Sequence, residues 1–140
     1  MIFQDPYSCL DPRMSIGSII EEGMKVHFSM SSSQRQKRCQ ELLERVGLPR
    51  EMVSRFPHEL SGGQRQRIGI ARALATKPAI LLADEPTGNL DSRTSNDVLS
   101  LMKVTGQKFS QTMVMITHNE EIAQLADRIV RIEDGRIVLR

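Results

Sequence analysis

Hydrophobic residues in the front half of the chain recur at helical spacing. Between residues 8 and 76 the sequence is largely polar, and Ser31–Ser33 offer hydroxyl groups that can cap a helix. The apolar positions after this serine run fall at i, i+3, i+4 and i+7, on one face of an α-helix: Cys39, Leu42, Leu43 and Val46. Gly47 and Pro49 predict the end of this helix. Another helix is expected after Ser61-Gly62-Gly63, with Ile68, Ala71 and Leu74 on its buried side.

From about residue 77 the pattern changes to alternating strands and helices. The apolar run Ala79–Ala83 ends in Asp84 and Glu85, which is typical of a strand buried on both faces of a parallel sheet. A second buried strand is predicted at Met113–Ile116, just before His118. The other predicted elements are helices at Ser92–Met102 and Glu120–Ala126 and a hairpin whose strands, Ile129–Ile132 and Ile137–Leu139, flank an Asp-Gly turn. This order predicts an α/β fold.

Composition and charge exclude several classes of function. The chain has 140 residues, enough for one compact domain, and 19 Lys and Arg against 17 Asp and Glu leave a net charge of only +2. That balance argues against a dedicated nucleic-acid binder, which needs a concentrated basic face. No apolar stretch approaches the roughly 20 residues of a membrane-spanning helix, and we expect no secretion signal. Cys9 and Cys39 form no CxxC motif, which favours a compartment that keeps thiols reduced.

Candidate catalytic and metal-binding groups stand at the ends of the predicted strands. Asp84 and Glu85 come at the edge where α/β sheets bind ligands. An aspartate there can hold Mg²⁺, and its neighbour can polarise a water for attack on phosphorus. The alternative is a pair of solvated acids. His118 ends the next strand and could hydrogen-bond a phosphate, although a lone histidine is more often structural, and Gln4 at another strand end indicates little by itself.

The segment Ser61-Gly62-Gly63-Gln64 is a second candidate site, just before a helix. Consecutive glycines let the backbone approach a ligand, and the free N–H groups and dipole of a helix N-terminus suit phosphate oxygens. The alternative is a serine cap followed by a flexible turn. The helix carries Arg65, Arg67 and Arg72, and two cations near its start oppose the helix dipole, which hints at a functional reason for them.

In combination, these motifs and their order resemble the ATP-binding cassette (ABC) ATPases. Phe3-Gln4-Asp5-Pro6 is similar to their Q-loop, Leu60-Ser61-Gly62-Gly63-Gln64 matches their signature motif, Ile80–Glu85 resembles Walker B with its catalytic glutamate, Gly88-Asn89-Leu90-Asp91 resembles the D-loop, and His118 resembles the switch histidine. The resemblance implies a P-loop NTPase-type parallel sheet, partial here, with an inserted α-helical subdomain. The implied parts are 1–7 for the Q-loop and the strand before it, 8–76 for the helical subdomain, and 77–140 for the rear of the ATPase core.

The resemblance also implies roles at a nucleotide site, with ATP and Mg²⁺ as cofactors. Asp84, together with Gln4, would hold Mg²⁺ largely through water. Glu85 would be the general base that orients the attacking water, and His118 would contact the γ-phosphate.

A second set of residues would serve the neighbouring subunit. Ser61, Gly62, Gly63 and Gln64 would close over ATP held by a second ABC subunit in a head-to-tail dimer, with Asp91 near the seam. The implied partners are that subunit and transmembrane permease subunits, with no nucleic acid. The implied location is cytoplasmic, peripheral on the inner face of the cell membrane through the permease.

One expected motif is missing from the sequence. The phosphate-binding G-x-x-x-x-G-K-[ST] does not occur, because the chain contains no Gly-Lys pair. We therefore expect the chain to be the C-terminal part of an ABC ATPase domain, and the isolated chain to bind ATP poorly and hydrolyse it negligibly. The sheet is expected to expose strand edges that the absent part would cover.

The transported substrate is the least constrained feature. The segments Phe3–Tyr7, Leu10–Met14 and Phe56–Leu60 resemble the oligopeptide and dipeptide importer ATPases, which favours peptide import. Asp84–Asp91 and Ile116–Asn119 are closer to lipoprotein-release and macrolide-export ATPases. Two further alternatives are a non-transport ABC ATPase and a catalytically incomplete fragment that only lends its signature motif to a complete subunit.

Overall fold

A computed structural model describes residues 1–5 and 7–139, so that Pro6 of the Q-loop segment and Arg140 lie outside the described residues. The helices are α1 (Ile16–His27), α2 (Ser32–Arg45), α3 (Gly62–Ala75), α4 (Ser92–Lys108) and α5 (Glu120–Ala123), with short 3₁₀ helices at Arg50–Ser54 and Pro57–Glu59. The strands are β1 (Ile80–Asp84), β2 (Thr112–Ile116), β3 (Arg131–Glu133) and β4 (Arg136–Val138).

The helical region forms around the predicted apolar stripe of α2. Cys39, Leu42, Leu43 and Val46 are all buried in one core cluster. Ser31 caps α2, and Gly47 follows it with a left-handed φ of 76°, as the sequence predicts. Helix α1, which the pattern did not delimit, begins after its own cap, Ser15, and packs against α2 and α3.

The sheet places three chain segments side by side. β1 and β2 are parallel, with Asp84 opposite Ile116 in register. On the other side of β1, the N–H of Ile2 donates to the carbonyl of Leu82 at 2.8 Å, and the N–H of Asp84 donates to the carbonyl of Ile2 at 2.9 Å. The carboxyl ends of all three segments therefore meet at one edge of the sheet.

The prediction that both strands are buried on two faces is wrong for the described residues. Leu81 and Ala83 lie in the core, but the alternate side chains Ile80, Leu82, Val114 and Ile116 are 47–60% exposed. Side chains alternate across a strand, so these four share the second face of the sheet. Nothing in the described part of the chain covers that face. The sheet also has the exposed edge that the sequence predicts, because β2 pairs only with β1 among the described residues.

The rear elements follow the predicted order with shifted ends. α4 continues six residues past Met102 to Lys108, and α5 stops at Ala123 instead of Ala126. The hairpin is confirmed, since Asp134 and Gly135 both have positive φ (48° and 72°), as a tight two-residue hairpin turn requires. Among the described residues, none of the helices combines the length and the apolar character that a membrane-spanning helix needs.

Candidate active site

Glu85 and His118 form the tightest polar contact at the carboxyl edge of the sheet. The Oε1 atom of Glu85 accepts a hydrogen bond from the backbone N–H of His118 at 2.8 Å and lies 2.6 Å from its Nδ1. The Glu85 side chain is only 17% exposed, whereas the imidazole is 85% exposed. An ionised carboxylate can only accept, so Nδ1 is the donor in this contact, and Nε2 is left for a partner outside the pair. The two residues lie at one edge of the sheet, as the sequence predicts, and the structure shows that the strands they follow are adjacent.

The backbone of Glu85 adopts an unusual conformation. Its φ is 43°, in the left-handed region that a non-glycine residue occupies at a cost of about 1–3 kcal/mol. Its N–H donates to the carbonyl of Ile116 at 2.9 Å, which ties the turn after β1 to β2. Strain of this kind concentrates at functional sites. No pattern in the sequence signals it.

The Asp84 carboxylate has no hydrogen bond or ion pair with any other described residue. Asp84 is half-buried, and its backbone N–H is bound to Ile2. Within residues 1–5 and 7–139 there is no group of three or more His, Cys, Asp or Glu that could hold a metal. An oxygen ligand that leaves most of the coordination shell to water suits Mg²⁺. Asp84 therefore offers one oxygen ligand of the kind that Mg²⁺ takes.

The side chain of Gln4 lies against the turn that follows β1. A Cβ built on Gly88 would be 2.6 Å from Gln4 Nε2 and 2.9 Å from Gln4 Cγ. Gln4 is exposed and belongs to the segment that pairs with β1. The structure therefore brings Gln4 to the same edge as Glu85.

Ser61 and Gln64 close a reciprocal capping box at the start of α3. The Ser61 hydroxyl oxygen accepts from the Gln64 N–H at 3.2 Å, and the Gln64 side chain accepts from the Ser61 N–H at 3.0 Å. Ser61 is therefore the N-cap of α3, as the serine-cap alternative proposed. Gly62 and Gly63 form part of the first helical turn and not a flexible turn before the helix. The Ser61 O–H remains a donor, and an α-helix has no internal acceptor for the N–H groups of Gly62 and Gly63.

The arginines of α3 bind the protein's own backbone. Arg65, Arg67 and Arg72 donate to the carbonyls of Leu60, Val46 and Cys9, respectively. The Arg65 guanidinium also lies 4.1 Å from the centroid of the Tyr7 ring, a cation–π contact. These contacts account for the arginines near the start of α3, so a bound anion is not needed to explain them.

Asp91 caps α4 beside the signature turn. Its carboxylate accepts from the Thr94 N–H at 3.3 Å, and hydrogen bonds to Thr94 hold the pKa of Asp91 below its usual value. A Cβ on Gly63 would be 2.5 Å from the Thr94 methyl carbon, so the signature turn packs directly on this cap. No hydrogen bond or ion pair among the described residues joins Ser61 or Asp91 to the Glu85–His118 pair.

Gln66 takes part in this region although no motif in the sequence indicates it. It is 1% exposed, and its Nε2 donates to the carbonyls of Phe3 at 2.9 Å and Pro86 at 2.5 Å. In the sequence it is one more polar residue after the signature motif. Only the fold brings its two partners together.

A family model described as ABC transporter matches residues 1–88. The oligopeptide transport ATP-binding protein OppF of Bacillus subtilis is 46% identical over 140 residues, covering 99% of this chain and 46% of that protein. A putative peptide import ATP-binding protein of Brucella ovis is 41% identical over 138 residues, covering 98% of this chain and 44% of that protein. The chain thus spans about half the length of the curated relatives it matches.

Two solved structures share the fold. One is a dimeric, post-hydrolysis ATP-binding cassette bound to ADP and Pi, with a TM-score of 0.81 and 34% identity, over 97% of this chain and 60% of that one. The other is cbiO1 of Clostridium perfringens, part of an ABC transporter complex, with a TM-score of 0.86 and 29% identity, over 99% of this chain and 54% of that one. The predicted P-loop NTPase-type α/β fold is confirmed by these likenesses.

Proposed function

Because this chain belongs to the ABC transporter family, we propose that it is the rear part of an ATP-binding and ATP-hydrolysing subunit that drives peptide import. The names of the relatives from Bacillus subtilis and Brucella ovis support peptide transport. They favour it over the lipoprotein-release and macrolide-export alternatives, whose likeness rests on short motifs around Walker B and His118.

The contact between Glu85 and His118 carries the proposal. A water bound beside Glu85 would give a proton to the carboxylate as its oxygen attacks the γ-phosphorus of ATP; the bond from that phosphorus to the bridging β–γ oxygen breaks, and ADP leaves. The hydrogen bond that Nδ1 donates to Glu85 fixes the ring of His118, so that Nε2 would be left to contact the γ-phosphate. Mg²⁺, when bound, neutralises charge on the phosphates. Asp84, with Gln4, would hold it through water.

The proposed assembly uses a second surface of the chain. Ser61, Gly62, Gly63 and Gln64 would close over ATP held by a second ABC subunit, with Asp91 near the dimer seam. The capping box supports this role, because it holds the helix start rigid while leaving a hydroxyl and N–H groups as donors. Permease subunits would hold the dimer at the cytoplasmic face of the membrane.

The isolated chain is proposed to hydrolyse ATP negligibly, because its sequence contains no G-x-x-x-x-G-K-[ST]. A chimera tests the catalytic role directly. The front half of Bacillus subtilis OppF, up to the point where the similarity begins, is joined ahead of Met1, and magnesium-dependent ATPase activity is measured.

In this chimera, Glu85→Gln is expected to lower kcat at least about 100-fold, because the amide cannot take a proton from water. The matched control is Glu120→Gln, which removes an exposed carboxylate that pairs with Arg131 near the same edge. An active chimera that is indifferent to Glu85→Gln contradicts the assigned role. A folded chimera without ATPase activity contradicts the proposed function.

The complete signature turn favours a second candidate function, that of lending this turn to a whole subunit. The chain is added to purified OppF, and the stimulation of ATPase activity is recorded. Ser61→Arg is expected to abolish the stimulation. Ser31→Arg is the matched control, since Ser31 and Gln34 form the same capping box at α2. Equal stimulation by the wild-type and Ser61→Arg chains would rule out this role.

A further inference from the structure

The side-chain amide of Gln66 connects the signature helix, α3, to the Q-loop segment and to the turn after β1. Gln66 lies on α3, one turn beyond the signature glycines, and it is 1% exposed. Nε2 donates to the carbonyl of Phe3, the residue before Gln4, and to the carbonyl of Pro86, the residue after Glu85. Both donors of the amide are therefore used, one on each side.

The two acceptors belong to segments that also meet through the sheet and through the contact of Gln4 with Gly88. Phe3 follows the Ile2 bridge, and Pro86 follows β1. Other α3 side chains also hold the front segment, since Arg65 stacks on Tyr7 and Arg72 donates to Cys9. Of the described α3 side chains, Gln66 alone is hydrogen-bonded to both segments.

Burial by itself does not account for a glutamine here. Its Oε1 is buried without a hydrogen-bond partner among the described residues. An acceptor left in this way is unfavourable, and an apolar side chain of similar length would avoid it. What a glutamine adds is the pair of donors that face the two carbonyls.

We infer that Gln66 is a positioning residue, which holds the backbone at Gln4 and at Glu85 in a fixed relation to the signature helix. A shift of that helix when Ser61–Gly63 close over a neighbouring ATP would then pass to the Glu85–His118 pair through one amide. The inference rests on the proposed function, but its main readout requires no nucleotide.

The first measurement uses the 140-residue chain labelled with ¹⁵N and ¹³C. In the wild type, scalar couplings across hydrogen bonds are expected from Gln66 Nε2 to the carbonyl carbons of Phe3 and Pro86. Their absence overturns the inference, and no variant is needed.

The second measurement is the ¹⁵N spectrum of His118, which reports which ring nitrogen carries the proton. Gln66→Met keeps the length of the side chain and removes both donors. We expect the Nδ1-protonated form of the wild type to give way to a mixture of tautomers, because Glu85 is no longer held. The matched control is Gln111→Met, since Gln111 also donates to a proline carbonyl (Pro78, 2.8 Å) and also has a buried, unpartnered Oε1. A wild-type His118 spectrum in Gln66→Met overturns the inference.

The third measurement is kinetic and uses the OppF chimera. Gln66→Met is expected to lower kcat about 10-fold or more with KM for ATP unchanged, while Gln111→Met leaves both within about two-fold. Equal kcat in the two variants overturns the inference. An inactive parent chimera counts against the proposed function instead, and the spectra of the chain alone then decide the role of Gln66.

Discussion

The side chain of Gln4 lies directly across the α-carbon of Gly88, in the space that a Cβ would occupy. A Cβ there would be 2.6 Å from Nε2, 2.9 Å from Cγ and 3.0 Å from Cδ of Gln4. Such distances are well inside van der Waals contact, so a Cβ at this position would force the Gln4 side chain to move. The contact links the Q-loop segment to the turn that carries Glu85.

Gly88→Ala is expected to displace Gln4 and to lower the free energy of unfolding by about 1 kcal/mol, through overpacking. Urea denaturation measures the loss. Gly106→Ala is the control, because a Cβ there meets Met113 Cε at an ordinary 3.7 Å within α4. The control is expected to gain about 0.5–1 kcal/mol from helix propensity. If the double variant Gln4→Ala, Gly88→Ala is no more stable than Gly88→Ala, the steric explanation is wrong.

Two neighbouring leucines of β1 test the one-sided burial of the sheet. Leu81 is 2% exposed and Leu82 is 47% exposed. Leu81→Ala is expected to cost about 2–5 kcal/mol of unfolding free energy, as buried leucine truncations do. Leu82→Ala removes the same atoms from the open face and is expected to cost less than about 1 kcal/mol. Equal losses in chemical denaturation of the chain would mean that the second face is also covered.

The cap of α4 predicts a dependence of stability on pH. Hydrogen bonds to Thr94 lower the pKa of Asp91, so its charged form is favoured in the folded state. Its contribution is therefore full above the ordinary carboxyl pKa of about 3.9 and is lost as the pH falls through the lowered value. Asp91→Asn keeps a good cap that does not titrate. The wild type is expected to lose stability relative to this variant between about pH 4 and 2, measured by thermal unfolding. Parallel stability curves would contradict the assignment.

The buried thiol of Cys39 predicts selective labelling. Burial raises the pKa of Cys39 to about 11, and Cys39 is 1% exposed beside α1. Because the thiolate is the reactive form, Cys39 is expected to react with a disulfide reagent at pH 8 only after denaturation. Burial also raises the pKa of Cys9, but that residue is only half-buried. Cys9→Ser is therefore expected to remove the fast phase of labelling. A fast phase that survives in this variant would show that Cys39 is accessible.

Local patterns predicted much of the fold and placed most of the candidate site. The stripe from Cys39 to Val46 and the turn at Asp134 and Gly135 depend on neighbours in the chain, so the sequence indicates them. The meeting of Glu85 with His118 follows from parallel strands that end at one edge. The roles of these residues stay predictions.

The structural features that the sequence does not predict depend on contacts between distant parts of the chain. The open face that carries Leu82 and Val114 could not be seen in the sequence, because two apolar strands look the same whether one face is covered or both. Gln66 was missed because its partners, Phe3 and Pro86, are brought to it only by the packing of α3. The positive φ of Glu85 has no compositional signal at all.

The bridge between Ile2 and Ala83 bears on the order in which the molecule folds. Its two backbone hydrogen bonds close a loop that contains α1, α2 and α3. Closing so long a loop is entropically unfavourable until the chain within it is compact. We therefore expect the three helices to collapse on one another first, and Ile2 to pair with β1 afterwards. Gln4 is then expected to reach the edge that carries Glu85 and His118 only after these helices have packed.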